Sequence, residues 1–426
     1  MKILHTADLH LGQVIYQNYD RSDEHRHFFV QLMAWCREHR PDALLVSGDV
    51  FDIQQPSASV KKAFTEYFVD LHRQCPSMAI VITAGNHDSA SRIQADSAVW
   101  TLANARLVGT APQSEPAEGW EEKYIVRLPA GYIVAMPYMT SERTETLQHL
   151  LDKINEENSE GKPVVMMGHT AVAGLDLQGH NIEIGTLKPQ SLQSFGSGFD
   201  YLALGHIHKP QTIGHQEDAK TPEVAYPTPV VRYSGSALHV SCDEAYPHTV
   251  SLVEIDKHGG EIKIRQLRID ELRHFYTLPM DGSSYTSTKE ALKGVRDFCK
   301  EKGSGYIRLK VDIATNLPAN FSQMVYDELA STDDEVRYNP KIDWTGKTES
   351  SASEQEKPTF EVAELQQMTN PLDFIEKTIT QYAGLSMDEV RQAFVEVEAE
   401  INRLAEEAQA KAAAKAAKKT EGTAED

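Results

Sequence analysis

Two histidines, His206 and His208, follow directly on a short apolar run at residues 201–204 that ends in Gly205. Alternate side chains of an extended chain point to the same side, so the two imidazoles face one region about 7 Å apart along the backbone. Such a pair suits two neighbouring divalent ions, one for each ring. Taken alone, it is also compatible with two ordinary polar residues, and the residues upstream decide between the two interpretations.

Four further polar pieces stand where an apolar run ends, and each carries oxygen or nitrogen donors. They are Asp8 and His10 after residues 2–6, Asp49 after residues 43–47, Asn86 and His87 after residues 78–83, and His169 after residues 164–167. Ligands of open α/β sheets gather beyond the carboxyl ends of the strands, so all five pieces are expected to meet in one crevice. Glycines beside them allow sharp turns and a close approach of the backbone.

The candidate metal ligands combine carboxylate, amide and imidazole donors without a thiolate. They are Asp8, His10, Asp49, Asn86, His169, His206 and His208. This set suits Mn²⁺, Fe²⁺, Mg²⁺-like ions or Zn²⁺, and it argues against copper or iron–sulfur chemistry. Two such ions about 3.5–4 Å apart can bridge a hydroxide and clamp the phosphoryl oxygens of an in-line displacement. The pattern therefore predicts hydrolysis of a phosphoester.

The elements that must position these residues alternate between strand and helix. Strands are predicted at residues 2–6, 43–47, 78–83, 124–128, 132–137, 164–167 and 201–204, and helices at 23–38, 57–74 and 141–156. Ser57 or Ser59 is a suitable N-cap for the second helix. The early strand–helix rhythm predicts a mainly parallel sheet covered by helices. Residues 250–255 and 261–267 are expected to form a closing antiparallel pair.

A second folded unit is predicted after the first, with boundaries at 1–275 and 276–345. Its elements are helices at 287–301 and 321–329 and strands at 307–311 and 335–338. Residues 346–369, which begin rich in Ser and Glu, are interpreted as a linker, residues 370–404 as a helical pair, and residues 405–426 as a disordered tail.

Composition describes an ordinary globular protein of 426 residues with a net charge of −21. This acidity argues against a protein that coats nucleic acid by bulk electrostatics, so a polyanionic substrate would need metal ions, local cations or a partner. Four widely spaced cysteines without a CxxC pair argue against a zinc ribbon or a disulfide framework. Without a signal-peptide pattern or a spanning apolar run, a cytoplasmic protein with no membrane partner is expected.

The combined motifs resemble the calcineurin-like metallophosphoesterases over roughly residues 1–240. The resemblance implies a β-sandwich core flanked by helices, with a small α+β capping domain and a C-terminal helical pair. It implies the following ligand sets: Asp8, His10 and His208 for one metal, Asn86, His169 and His206 for the other, and Asp49 as the bridging carboxylate. His87 matches the histidine that contacts the scissile phosphate and assists the leaving oxygen without holding metal. Asp88 is expected to orient His87.

Within this superfamily the segments at residues 5–12, 48–52, 85–89 and 233–236 are similar to those of bacterial nuclease subunits that work with an SMC-like ATPase. This narrower resemblance implies a DNA repair and recombination nuclease with exonuclease action on duplex ends and endonuclease action on hairpin or single-stranded DNA. It also implies two divalent ions with Mn²⁺ as the expected metal, docking of the C-terminal helices on the ATPase, and a homodimer within a heterotetramer. Asp52 stands where many archaeal and eukaryotic relatives carry a histidine.

Two alternatives remain open at this point. One is a stand-alone phosphatase or phosphodiesterase acting on small phosphoesters, and the other is a catalytically silent scaffold for an ATPase. The chain beyond residue 270 argues against the first, and the intact motif positions argue against the second. Outside the motifs, His5 is interpreted as a buried strand residue, His25 as solvent-facing, and Arg21 as surface decoration rather than a nucleotide contact.

Overall fold

The computed structural model describes residues 1–16, 19–113, 117–175, 189–215, 223–240, 244, 246–331 and 335–345. The strands are β1 (Lys2–Thr6), β2 (Val14–Ile15), β3 (Tyr19–Asp20), β4 (Ala43–Ser47), β5 (Ala79–Thr83), β6 (Ala105–Val108), β7 (Ile125–Leu128), β8 (Gly131–Ala135), β9 (Val164–His169), β10 (Tyr201–Gly205), β11 (Gln211–Thr212), β12 (Glu223–Tyr226), β13 (Val230–Tyr233), β14 (Thr249–Ile255), β15 (Ile262–Arg268), β16 (Phe275–Leu278), β17 (Ser304–Asp312) and β18 (Glu335–Thr345). The helices are α1 (Ser22–His39), α2 (Ala58–Gln74), α3 (Ala90–Trp100), α4 (Thr144–Glu157), α5 (Thr288–Lys302) and α6 (Phe321–Ala330).

Two large sheets form the body of the fold. The first has the order β12-β15-β14-β1-β4-β5-β6, and the second has the order β11-β13-β10-β9-β8-β7. The pairs β1–β4, β4–β5 and β5–β6 are parallel, while β14 runs antiparallel to both β1 and β15. In the second sheet β8, β9, β10 and β13 are parallel neighbours. The carboxyl ends of the central parallel strands of each sheet can therefore meet at one edge of the sandwich.

The central strands are buried on both faces, which explains why they read as continuous apolar runs. In β4, Leu45 packs into the core shared with the second sheet, whereas Leu44 and Val46 pack beneath α1 and α2. The side chains of β1 and β5 alternate in the same way. Each strand thus ties the sandwich core to a helical layer.

The helical layer is specified locally by caps and apolar stripes. Ser57, one of the two predicted candidates, is the N-cap of α2, and its hydroxyl accepts from the backbone N–H of Val60. Phe64, Phe68 and Leu71 of this helix are buried against the first sheet. On the other side α4 buries four leucine and isoleucine side chains in the core of the second sheet.

A third sheet, with the order β16-β17-β18, carries α5 and α6 and has its own apolar core. Phe298 of α5 and Val325 of α6 pack in this core with Leu309 of β17. Ser287 caps α5 by accepting from Glu290 N–H, and Gly303 ends the helix in a left-handed conformation. These elements lie in the stretch after the sandwich for which the sequence predicts two helices and two strands.

The predicted mixed α/β class with a sandwich core is confirmed, and the predicted central strands lie where the apolar runs stand. The structure adds α3 and β6, which the sequence analysis left undefined, and it adds β16 ahead of the helix at α5. The predicted linker, helical pair and tail at residues 346–426 lie outside the described residues. Within the described part of the chain, no helix is both long and apolar enough to cross a membrane.

Candidate metal centre

The polar pieces identified in the sequence meet at the carboxyl ends of β1, β4, β5, β9 and β10. The donor atoms of Asp8, His10 and His208 lie within 4.8 Å of one another, and so do those of Asp8, Asp49 and His169. Asp8 therefore belongs to both groups.

The remaining two candidate ligands join the same centre. The side-chain oxygen of Asn86 lies 3.0 Å from Nε2 of His169 and 3.0 Å from Nδ1 of His206. The backbone N–H of His206 donates to both oxygens of Asp8, at 2.9 and 3.1 Å. The structure thus brings all seven predicted ligands into one crevice.

The backbone that presents these ligands is strained. Asp8, His10, Asp49 and His206 have φ values of 51°, 45°, 48° and 92°, in a region that residues with a Cβ rarely adopt. Each such residue costs on the order of 1–3 kcal/mol and persists only where the surrounding fold enforces it. Four strained residues in one place are typical of a functional site. The packed strands on either side keep the loops that carry the ligands in these conformations.

Two glycines permit the approach of neighbouring loops. A Cβ on Gly205 would lie 1.9 Å from the carbonyl oxygen of Ser47, and one on Gly85 would lie 2.1 Å from Oδ1 of Asp49. Both distances are impossible for real atoms, so these positions require glycine for close contact between the strand ends.

A second layer of acceptors orients the imidazoles. Nδ1 of His169 donates to the carbonyl of Ser47 at 2.8 Å, which leaves Nε2 for a ligand. Nδ1 of His208 lies 2.9 Å from a carboxylate oxygen of Glu244. Nδ1 of His10 lies 3.2 Å from Oδ1 of Asp52 but makes no hydrogen bond within the described part of the chain. This arrangement is the usual support of metal-binding histidines.

His87 lies beside the centre and is held by two backbone contacts. Its N–H donates to Oδ1 of Asp49 at 2.8 Å, and its Nδ1 donates to the carbonyl of Asp52 at 2.8 Å. The expectation that Asp88 orients His87 is wrong. Asp88 is buried and accepts instead from the backbone N–H groups of Gly85, Val50 and Phe51, so it fixes the two loops to each other.

Electrostatics inside the crevice favour a charged Asp49 and protonated His169 and His10, whereas burial raises the pKa of Asp8. Burial opposes ionisation of Asp49, but the imidazoles led by His169 outweigh it and hold the pKa of Asp49 well below its usual range. Burial likewise opposes protonation of His169, yet Asp49 and Asp8 raise its pKa to about 9. The pKa of His10 is also raised, because Asp52 and the neighbouring carboxylates outweigh burial.

The residues present fit a divalent metal. Nε2 of His10 has no hydrogen-bond partner in the described part of the chain, and water does not reach it, because the side chain is only 3% exposed. Two more imidazoles converge on one amide oxygen, and two carboxylates lie beside them. Ion pairs within a protein do not bring several donors to one point, whereas a divalent cation requires such a convergence. A bound cation would also replace the protons that closely spaced imidazoles otherwise take up.

Glu244 is a part of the centre that the sequence analysis missed. It lies 36 residues from His208 in the chain, and no local spacing connects the two. Burial opposes its ionisation, but His208 and His248 hold the pKa of Glu244 well below its usual range. Only the tertiary fold reveals this carboxylate.

Two interpretations outside the motifs are wrong as well. His25 is 3% exposed, and its Nε2 donates to the carbonyl of Leu9 at 2.9 Å instead of facing solvent. Arg21 is 2% exposed and pairs with Glu24. His5, by contrast, is buried as expected, with Nδ1 2.9 Å from the hydroxyl of Tyr201.

Together, the two-sheet sandwich and a crevice of carboxylate, amide and imidazole donors at its strand ends define a metallophosphoesterase. Residues 1–210 match the family model described as calcineurin-like phosphoesterase. The class predicted from the motifs is therefore confirmed.

The similarity extends to a particular group of nucleases. The chain is 30% identical over 316 residues to the SbcD subunit of nuclease SbcCD from Rhodobacter capsulatus, which covers 67% of this chain and 73% of the relative. It is 29% identical over 320 residues to the SbcD subunit from Escherichia coli K12, covering 69% and 75%, and 29% identical over 286 residues to that of Bacillus subtilis, covering 61% and 68%. The chain belongs to the SbcD family of nuclease subunits within the calcineurin-like phosphoesterases.

Proposed function

We propose that the chain is a metal-dependent DNA nuclease that acts with an SMC-like ATPase, as an exonuclease on duplex ends and an endonuclease on hairpin or single-stranded DNA. The observation that carries the proposal is the convergence of seven metal donors and His87 in one buried crevice. Membership of the SbcD family supports DNA as the substrate. A phosphodiester is the bond that such a centre is suited to hydrolyse.

The metal ligands divide into two sets in this proposal. Asp8, His10 and His208 would hold one ion, Asn86, His169 and His206 would hold the other, and Asp49 would serve both. The grouping of Asp8, His10 and His208 within 4.8 Å and the position of Asn86 between two imidazoles support this division. Oxygen and nitrogen donors without sulfur suit Mn²⁺, which is the metal we propose.

Bound divalent ions would supply a nucleophilic hydroxide and neutralise charge on the phosphoryl oxygens. His87 acts on the substrate instead of the metal. Because its Nδ1–H donates to the Asp52 carbonyl, the ring presents Nε2, and as an imidazolium it can donate a proton from Nε2 to the leaving oxygen. Asp49 anchors the His87 backbone, so the proton donor stays in register with the metal ligands.

The rest of the chain supplies substrate and partner contacts in this proposal. Residues 276–345 cap the crevice and contact DNA, and the helical pair at residues 370–404 docks on the coiled coil of the ATPase. The stripe of Val390, Phe394 and Val397 on the second helix suits a groove between helices. The net charge of −21 disfavours binding of free DNA, so the ATPase is expected to bring DNA to the nuclease, within a heterotetramer that contains two copies of this chain.

The test compares two substrates with and without the ATPase. The protein should cleave linear duplex and hairpin DNA in Mn²⁺, and the ATPase should raise that rate strongly while leaving hydrolysis of bis-p-nitrophenyl phosphate nearly unchanged. A protein that hydrolyses the small phosphodiester but no DNA, with or without the ATPase, would be a small-molecule phosphodiesterase instead.

The docking helix has its own test with a matched control. Phe394→Glu should abolish co-purification with the ATPase and leave hydrolysis of the small phosphodiester intact, because it places a charge in the apolar stripe. Gln392→Glu adds the same charge away from the stripe and should bind normally. Equal binding by both variants would move the docking site elsewhere.

A further inference from the structure

A buried carboxylate, Glu244, stands directly behind one of the candidate metal ligands. It is 3% exposed, and its Oε1 lies 2.9 Å from Nδ1 of His208. Its other oxygen accepts from the backbone N–H of Val240 at 2.9 Å and lies 3.4 Å from Nε2 of His248. Both oxygens are therefore engaged, and the carboxylate is fixed in one orientation.

The contact sets the state of the His208 ring. A carboxylate accepts only, so Nδ1 of His208 must carry the proton and Nε2 is left with its lone pair for a metal. A negatively charged acceptor on Nδ1 also makes Nε2 a stronger donor to a cation. Glu244 thus acts on the metal position through His208 without touching an ion.

Two of the candidate ligand histidines differ in the acceptor behind the ring. Nδ1 of His208 faces the Glu244 carboxylate, whereas Nδ1 of His169 donates to the neutral carbonyl of Ser47. Charged acceptors strengthen imidazole ligands more than neutral ones do, so His208 should be the stronger ligand of the two.

We propose that Glu244 is a positioning residue for His208 and strengthens metal binding at the position of Asp8, His10 and His208. The proposal rests on the metal assignment made under the proposed function. It goes beyond that assignment by naming the residue that holds His208 in its metal-binding state.

Glu244→Gln is the informative substitution because it keeps the shape and removes the charge. A glutamine that turns its oxygen to His208 points its NH₂ group at the Val240 N–H, where two donors oppose each other. The flipped amide satisfies Val240 but offers a donor to Nδ1, which moves the ring proton to Nε2 and blocks the metal. Either orientation weakens the His208 position.

The experiment is a calorimetric Mn²⁺ titration of the full chain after removal of bound metal. Wild-type protein should bind two ions, and Glu244→Gln should weaken one of the two binding steps by about 10–100-fold with little change in the other. Glu121→Gln is the matched control, since Glu121, just before β7, accepts from Nε2 of His149 on α4 at 3.1 Å, and it should leave both steps unchanged. Equal weakening of both steps, or no change in either, would overturn the proposal.

A double-mutant cycle separates positioning from a general structural role. If Glu244 acts through His208, adding Glu244→Gln to His208→Gln should cause no further loss of Mn²⁺ affinity, whereas additive losses would contradict the proposal. A loss of stability in Glu244→Gln does not affect the conclusion, because this substitution is introduced both into the wild type and into His208→Gln. Wild-type protein that binds two ions but cleaves no DNA would refute the proposed function and leave this inference standing.

Discussion

The metal crevice and the contact between the sandwich and the third sheet are both buried polar clusters, but they are built on opposite principles. In the crevice, carboxylates and imidazoles converge on shared points. At the contact with the third sheet, which we call the junction cluster, arginines and a tyrosine hydroxyl surround one buried carboxylate. Its members are Arg21, Glu24, Arg273, Tyr306 and Arg337.

Glu24 is the centre of the junction cluster. One of its oxygens lies 2.5 Å from Nε of Arg21, and the other accepts from the Tyr306 hydroxyl at 2.6 Å and lies 3.3 Å from Nη1 of Arg273. The Arg21 guanidinium also lies over the ring of Tyr306, 5.7 Å from its centroid. Every oxygen of this carboxylate is matched by a donor within the protein.

The metal crevice and the junction cluster show how a buried binding site differs from a buried structural cluster. Buried charges that are paired within the protein hold two parts of a fold in register, and they leave nothing for a ligand. Buried donors that converge on one another, on a strained backbone, are stable only with a cation among them or with extra protons. The crevice meets the second description and the junction cluster the first.

The largest expected effect comes from removing Asp49, the carboxylate that we propose serves both metal positions. Asp49→Ala should abolish nuclease activity and lose at least one Mn²⁺, because Asp49 contacts His169 and anchors the backbone of His87 as well. Metal analysis of the purified variant measures the loss directly. A variant that kept both ions would show that Asp49 is not the bridge.

Removing His87 should affect chemistry and leave metal binding intact. His87→Ala is expected to lower the rate of phosphodiester cleavage by about 10²–10⁴-fold, the size expected for a lost proton donor, while two ions remain bound. Single-turnover cleavage and metal analysis of the same preparation check both parts. If the variant lost an ion, His87 would have to be counted as a ligand.

Much of the crevice could be predicted because its parts are local. Each ligand follows an apolar strand by a few residues, and strands buried on both faces are conspicuous in sequence. By contrast, α3 buries only Ile93 and Trp100, so its apolar pattern is too sparse to predict a helix.

The junction cluster could not be predicted, for a different physical reason. Glu24 and Tyr306 are separated by 282 residues, and nothing in the pattern of α1 indicates that a second unit covers its first turn. The sequence therefore indicated solvent exposure for His25, by its place on a helix, and for Arg21, by its place in the loop after His10. The contact of Glu244 with His208 could not be predicted for the same reason, since polar partners that are distant in sequence meet only after folding.

The junction cluster should matter for stability and little for metal. Glu24→Gln leaves Arg21 buried without its anion, while Arg273 keeps Asp23 and Glu335, and should cost about 3–5 kcal/mol of unfolding free energy, measured by urea denaturation. Asp70→Asn is the matched control, because Asp70 and Arg73 form an i,i+3 pair at 3.2 Å on an exposed helix face and should cost less than about 1 kcal/mol. Equal effects of the two variants would mean that burial does not distinguish them.

The smallest expected effect concerns the histidine beneath the crevice loop. Burial, reinforced by Arg21, lowers the pKa of His25 to about 4 from an ordinary value of 6.5. Above pH 6.5 neither the folded nor the unfolded state protonates it, and the pH has no effect through this group. As the pH falls from 6.5 to 4, the unfolded chain binds a proton that the folded protein refuses, so stability is lost across this window by an amount on the order of 3 kcal/mol.

His25→Gln keeps a donor for the Leu9 carbonyl and removes the titration, so its unfolding free energy should fall less steeply than that of the wild type between pH 6.5 and 4. Both proteins are compared after removal of metal, so that loss of ions at acid pH does not contribute. His27→Gln, on the same helix with a side chain that is 33% exposed, should keep the wild-type slope. If His25→Gln showed the wild-type slope, His25 would take up its proton in the folded state. The contrast between a buried histidine that excludes a proton and a crevice whose histidines bind protons would then not apply to this residue.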